Sequence, residues 1–502
     1  MLDRGPRSEK WEALMTLARF LSGALALGAF ALSIPIRAQT PGAEAPPLMR
    51  LNVLALDSNR QPVSDLNLGD LQVLDQGQPQ RIVYFHRKAA APAGQAEPGV
   101  LSNRSPRIPH ATAILFDLMK QGRGYALDAY KKVGHSLQQL ESGENVYLYV
   151  LAMDGSLVPV HPIPPDPSVP AADDKTWTQQ IESQFDKLMK SLIRGRPTGI
   201  TEEDVAKKTY VAMETLARQL VLFSGERNIL WVMRDVQTVS NPKNTCSGDW
   251  LDCALYVPHL AVTLERTGVA VNPVTYANDL NADTNRGMVE FAGLSGGRPF
   301  FGDDIRAILS RFGSDPAGGY VLGYEAAPGS FDNKFHRVKV TTERKGVKIE
   351  VRQRYYAFPD ARPAMARAQD ALLAAVRSPF DDPQIGLRVT ASPVSGAQKA
   401  IHLKVQIDPA DLFLRDEGGV FTGHVTALVA GYAASGVAGA PLPSDFNLRL
   451  TKEQREAAAK NGFPFEQDFP IDAATTKVRV LVFDHSTGSV GSLSVPVGAS
   501  QP

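Results

Sequence analysis

Cysteine is nearly missing from this chain of 502 residues: Cys246 and Cys253 are its full complement. Two thiols alone cannot complete a structural zinc site, because such sites take four ligands. Net charge is missing as well, with 53 Lys and Arg against 53 Asp and Glu. That removes the broad positive field on which nonspecific nucleic-acid binding depends, so nucleic acid is not an expected partner. The nine histidines include no H-x-x-x-H or H-E-x-x-H spacing, and no glycine loop followed by Lys and Ser or Thr is present. A zinc hydrolase and a phosphate-cradling enzyme therefore have no motif here. Past residue 36 no apolar run is long enough for a second membrane span.

What is present has the balance of a globular protein, at 43% hydrophobic and 21% charged residues. The length exceeds one ordinary core and suggests roughly three folded units. The N-terminus carries Arg4, Arg7 and Lys10, then an apolar run from Phe20 to Ile36 and a small residue at Ala38. This is the pattern of a secretory signal peptide over 1–38, and it predicts export to the periplasm, cell envelope or medium. The imperfect cleavage site Ile36-Arg37-Ala38 leaves an uncleaved N-terminal anchor open, which would be the chain's one membrane contact. In an exported protein Cys246 and Cys253 suit a local disulfide across the polar loop Asn241 to Asp252, against the alternative of two unpaired thiols.

Along the chain, 39–48 and 88–110 are rich in Pro, Ala, Gly and Ser and read as linkers or loops. Between them, 48–88 holds short strands separated by turn chemistry at Asp57-Ser58-Asn59 and Asp75-Gln76-Gly77. From 110 to 316 short apolar strands alternate with helices, the order of a doubly wound, mostly parallel α/β sheet with helices on both faces. Such a sheet places ligands beyond the carboxyl ends of its strands. Period-two patterning returns over 318–357, predicting strands that complete the 48–88 module, so that the α/β domain is inserted in one β-sandwich. A helical linker is expected over 363–378. A second, C-terminal β-sandwich is expected over 386–498, with Ser444 to Asn461 more helical.

Seven segments in order carry a family resemblance: Val53 to Phe85, Ala113-Ile-Leu-Phe-Asp117, Gly225 to Val232, Val269 to Val274, Leu294 to Phe300, Tyr320 to Tyr324 and Arg352 to Ala357. Over about Leu51 to Ala357 the chain resembles the von Willebrand factor A-related proteins of the Acidobacteria type. The resemblance implies an A-like α/β domain and a role in adhesion or protein interaction, without a known reaction. It also implies a divalent-cation site built from D-x-S-x-S after the first strand, a Thr on a later loop and an Asp after the fourth strand. The residues at those places here are Asp117, Thr209 and Asp235. Both serines are replaced, in Asp117-Leu118-Met119-Lys120-Gln121. Met119 offers a soft thioether unsuited to Mg²⁺, Gln121 offers one amide oxygen, and Lys120 adds positive charge. The expectation is a degenerate site without a cofactor, with Asp117 paired to Lys120 or Arg234; Mg²⁺ stays as the minority reading.

Two other patterns have competing explanations. Asp279, Asn281, Asp283, Asn285 and Glu290 have the spacing of a calcium loop but lack its glycine, so a solvated loop entering a helix is preferred. Gly293-Leu-Ser295-Gly-Gly297 matches G-x-S-x-G, yet a helix precedes it and a strand follows. That order suits a helix stop rather than a hydrolase nucleophile. Trp177 and Trp250 lie in polar stretches and, with Met119 and Gln121, are candidate partner-binding residues; Trp231 reads as core. The expected function is non-enzymatic protein binding at the cell envelope, the alternatives being a structural role in an envelope complex and, more distantly, a secreted hydrolase.

Overall fold

The computed structural model describes residues 48–497 apart from 60, 89–98, 105–107, 120, 122, 139–144, 166, 168–178, 193–198, 237–250, 252–253, 278–281, 313–318, 328, 361 and 395–398. The candidate signal segment, Lys120, Trp177, Trp250, Cys246 and Cys253 lie outside the described residues, so the expectations placed on them stand as sequence readings. Among the described residues no helix is long and apolar enough to cross a membrane.

The chain is a mixed α/β protein with one largely parallel sheet and several antiparallel ones. The parallel sheet comprises β1 (His110–Asp117), β2 (Val146–Leu151), β3 (Leu157–His161), β4 (Glu226–Val232), β5 (Val269–Thr275) and β6 (Phe300–Phe301). Residues Ala111 to Asp117 and all of β2 are buried, as expected for strands covered on both faces. The spatial order is β3-β2-β1-β4-β5-β6, with only β3 antiparallel to its neighbour. The direction of winding therefore reverses between β1 and β4, the place in such sheets beyond whose carboxyl ends ligands bind.

Helices cover both faces. One core takes side chains from α3 (Glu202–Leu220), α4 (Val257–Thr267) and α5 (Ala282–Ser295). The opposite core takes them from α1 (Arg123–Leu137), α2 (Gln179–Leu192) and α6 (Ile305–Leu309). Helix α3 starts where Thr201 and Asp204 form a reciprocal capping box, with Glu202, Glu203 and Asp204 at the positive end of the helix dipole. Two elements extend the sequence reading. Helix α2 falls partly in a stretch read as polar, although Phe185 and Met189 form a helical stripe on the core. Strand β3 adds an antiparallel edge.

Strand Leu48–Leu56 pairs with Gly319–Glu325 and Lys348–Val351, while Leu71–Asp75 pairs with Phe335–Thr342. Segments on either side of the α/β unit thus form two four-stranded sheets around one apolar core that includes Leu51, Val53, Val73, Tyr320 and Leu322. Helix α7 (Ala364–Arg377) follows, with Pro363 as its N-cap. Beyond it, two antiparallel sheets share a core of Leu403, Val405, Val425, Ala427, Val480 and Val482, among others.

Two expectations need correction. Ser444 to Leu450 belongs to strand Gly436–Leu450, and only α8 (Lys452–Asn461) is helical. Leu442, Phe446 and Leu448 alternate along one face and pack on the C-terminal core, so period two governs. The 88–110 segment is also more than a linker. Leu101–Ser102 adds an edge strand to the C-terminal sheet, pairing with Val389 and Arg388. The Asn103 amide donates to the carbonyls of Asp382 and Ile385 and accepts from the Leu387 N–H. Next to it Arg104 pairs with Asp408 and with the fully buried Asp411, which His86 also meets at 3.0 Å. A strap leading toward the α/β unit is thereby tied to the C-terminal unit.

Candidate functional site

Asp117 is the last residue of β1, and Asp235 lies three residues beyond β4, the parallel strand hydrogen-bonded beside it. Both therefore lie at the same carboxyl edge, at the point where the strand order reverses. Thr209 comes from the second turn of α3, inside the helix rather than on a loop, and is 3% exposed.

The sequence-matched residues meet only in part. The Asp117 carboxylate is 4% exposed and accepts hydrogen bonds on both oxygens. The backbone N–H of Met119 donates to Oδ1 at 2.8 Å. The indole N–H of Trp231 donates to Oδ2 at 3.0 Å, and the Thr209 hydroxyl lies 3.4 Å from the same atom. Asp235 is engaged elsewhere: the Thr284 hydroxyl donates to it at 2.9 Å and Arg234 lies 3.7 Å away. The pairing of Asp117 with Arg234 foreseen from sequence is thus replaced, among the described residues, by donors that are all neutral. Met119 is buried, and the Gln121 side-chain amide has no partner among the described residues although both its polar atoms are buried.

This donor set fits a hard divalent cation poorly. Such an ion needs several open oxygen ligands in near-octahedral order, with water or a partner carboxylate at the remaining positions. Here one carboxylate already receives N–H and O–H donors, the neighbouring thioether is soft, and the second carboxylate points to Thr284 and Arg234.

Burial pushes the Asp117 carboxyl up to about 6, against the opposing pull of the Trp231, Met119 and Thr209 hydrogen bonds. The folded protein consequently holds a proton that the unfolded chain releases near pH 4. Stability from this group is present below the unfolded value and is lost as pH climbs to about 6, a change on the order of 3 kcal/mol. Asp117→Asn cannot titrate. Denaturant unfolding of both proteins between pH 4 and pH 7 should show the wild type losing about 2 kcal/mol relative to the variant, the rest of the change falling below pH 4. Parallel pH profiles would refute the assignment.

The sequence reading missed two features of this edge. Tyr125, in the first turn of α1, donates its hydroxyl to the Met233 carbonyl at 2.6 Å and accepts from the Tyr276 N–H at 3.1 Å, joining the ends of β4 and β5. Phe301 ends β6 opposite Thr275 and is 44% exposed. Neither announces itself in sequence, since a helical tyrosine and a strand phenylalanine both read as core.

The hydrolase-like motif resolves differently. Ser295 closes α5, and its hydroxyl accepts the Val271 N–H at 2.7 Å. A Cβ on Gly297 would stand 2.0 Å from the Val271 carbonyl oxygen, so glycine is required for the chain to pass this strand. The calcium-like pattern has its second half in α5, which begins at Ala282, so those residues follow helical spacing.

No family model matches the chain, and no curated protein matches its sequence. Among solved structures the chain is similar to the human COPII-coat protein Sec24c, with 10% sequence identity over 57% of this chain and 51% of that chain, at a TM-score of 0.25. The chain thus matches about half the length of that protein, in a superposition so loose that the fold rests on this chain's own strand order.

Proposed function

We propose that the protein is an exported, non-enzymatic binding protein whose 110–316 segment is a von Willebrand factor A-like domain with a degenerate cation site. In this reading the domain is inserted in a β-sandwich and followed by a second one, and a protein partner at the cell envelope docks on the carboxyl edge of the parallel sheet. The carrying observation is a division of labour at that edge. Asp117 is saturated by internal donors, while Phe301 is 44% exposed and the Asp235 side chain 43% exposed. An exposed aromatic beside a charged rim is the composition of a binding anchor, and it requires no resident metal.

Photo-crosslinking residues placed at Phe301 and Asp235, with Asn145 at the amino edge as the reference, test this reading against an envelope extract. The expected result is a discrete adduct from the first two positions only, unchanged by EDTA. Equal labelling from Asn145 would sink the docking assignment. Adducts abolished by EDTA and by Asp117→Asn would instead restore a metal-dependent site.

A further inference from the structure

Two histidines and an aspartate meet on the C-terminal sheet, far in sequence from the edge discussed above. His424 lies in strand Phe421–Ala433, Asp445 in strand Gly436–Leu450, and His485 directly follows strand Lys477–Asp484. Val425 and Ala427 point into the core, so alternation turns His424 and Thr426 to the outer face. Strand pairing places Thr426 opposite Asp445 on one side and Phe483 on the other. The backbone N–H of His485 donates to the backbone carbonyl of His424 at 3.0 Å, holding the two residues side by side.

The ligand-capable atoms of the three side chains lie within 4.8 Å of one another. His424 Nε2 stands 3.9 Å from Asp445 Oδ1, and the imidazoles are stacked with centroids 3.8 Å apart and planes 10° apart. The Thr426 hydroxyl bridges the group, bonding the Asp445 carboxylate and standing 2.8 Å from His485 Nε2. Phe483 meets the His485 ring edge-on at 5.0 Å.

We propose that His424, His485 and Asp445 form a binding site for one borderline divalent transition-metal ion of the zinc class, with a coordination position left open. Two imidazole nitrogens and one carboxylate oxygen suit such an ion and do not suit Mg²⁺. Bonds of about 2.0 to 2.1 Å would set tetrahedral ligands about 3.3 Å apart, so the cluster closes by roughly an ångström and the stacked rings splay toward a common point. The side chains have that freedom, His424 being 36% exposed and Asp445 59%. On closure Thr426 releases His485 and keeps its bond to Asp445, orienting that carboxylate. The open position would take water or a donor atom from a bound partner.

Calorimetric titration with zinc chloride tests the site, using the full chain carrying Cys246→Ser and Cys253→Ser so that thiols do not compete. One equivalent should bind saturably, and magnesium chloride should give no saturable heat. Asp445→Asn should weaken zinc by about tenfold or more, and the His424→Ala/His485→Ala pair by more again. Asp445 is exposed, so its variant decides the matter even if the double histidine variant fails to fold. Absence of zinc binding, or equal affinity in Asp445→Asn, overturns the proposal.

Discussion

Trp231→Ala should destabilise the protein by about 3–5 kcal/mol, read as a lowered urea midpoint at unchanged slope. The side chain is 1% exposed and packs on Phe291 with ring centroids 5.7 Å apart, so truncation opens a cavity between the sheet and α5. A second effect separates this residue from ordinary core. Its indole N–H is the shortest donor to Asp117 Oδ2, and losing it leaves a buried carboxylate short of a partner. Trp231→Phe fills most of the space but cannot donate, and should cost about 1–3 kcal/mol at pH 7. It should also raise the Asp117 carboxyl further, because the lost bond favours the ionised form. Combining Trp231→Phe with Asp117→Asn should recover part of the loss, since the buried charge is then gone. A Trp231→Phe variant with wild-type stability at every pH would show that the indole bond contributes nothing.

Arg479→Ala should be comparably severe, at about 3–5 kcal/mol, because it removes one partner from a buried network. The guanidinium is 1% exposed and sits at the carboxyl end of α7, donating to the carbonyls of Ala375 and Ser378 and to the Ser494 hydroxyl at 3.0 Å. Asp381 lies 3.4 Å away, and the cation stands over the Tyr432 ring at 5.3 Å. Positive charge at this end of a helix is favourable, and here it also satisfies carbonyls that have no helical partner. The consequence extends beyond the C-terminal unit. Ser378 receives the Ser224 N–H at 2.8 Å through its hydroxyl, which connects α7 to the turn before β4. Hydrogen exchange should therefore quicken over 364–378 and around Ser224 in the variant. Arg479→Lys should recover only part of the loss, since an ammonium cannot span this set of acceptors as a planar guanidinium does. Protection unchanged in Arg479→Ala would refute the capping role.

The parallel sheet was readable in outline because buried strands such as Val146–Leu151 are unbroken apolar runs, and the helices between them repeat at helical spacing. Asp117 and Asp235 could be assigned to one edge from strand order alone, since parallel strands end on the same side. The elements that escaped were those with mixed signals. Gly436–Leu450 carries two prolines and a polar stretch before a strongly capped helix, so its period-two face was masked by its neighbour. Leu101–Ser102 is too short to show any period, and acquires its role only because the C-terminal sheet offers an unpaired edge.

Sequence by itself determined the alternation of strands and helices, the absence of a zinc-hydrolase or phosphate-loop motif, and the poverty of hard oxygen ligands in Asp117-Leu118-Met119-Lys120-Gln121. Those are properties of local order and composition, which survive in one dimension. The tertiary structure alone decided what Asp117 does: its partner Trp231 is 114 residues away, brought close because β4 pairs beside β1. It likewise decided that His424, Asp445 and His485 share one face, through the registers of three antiparallel strands. Burial, hydrogen-bond saturation and ligand spacing arise between segments, and a chain read in order carries no record of which distant side chain will occupy a given lone pair.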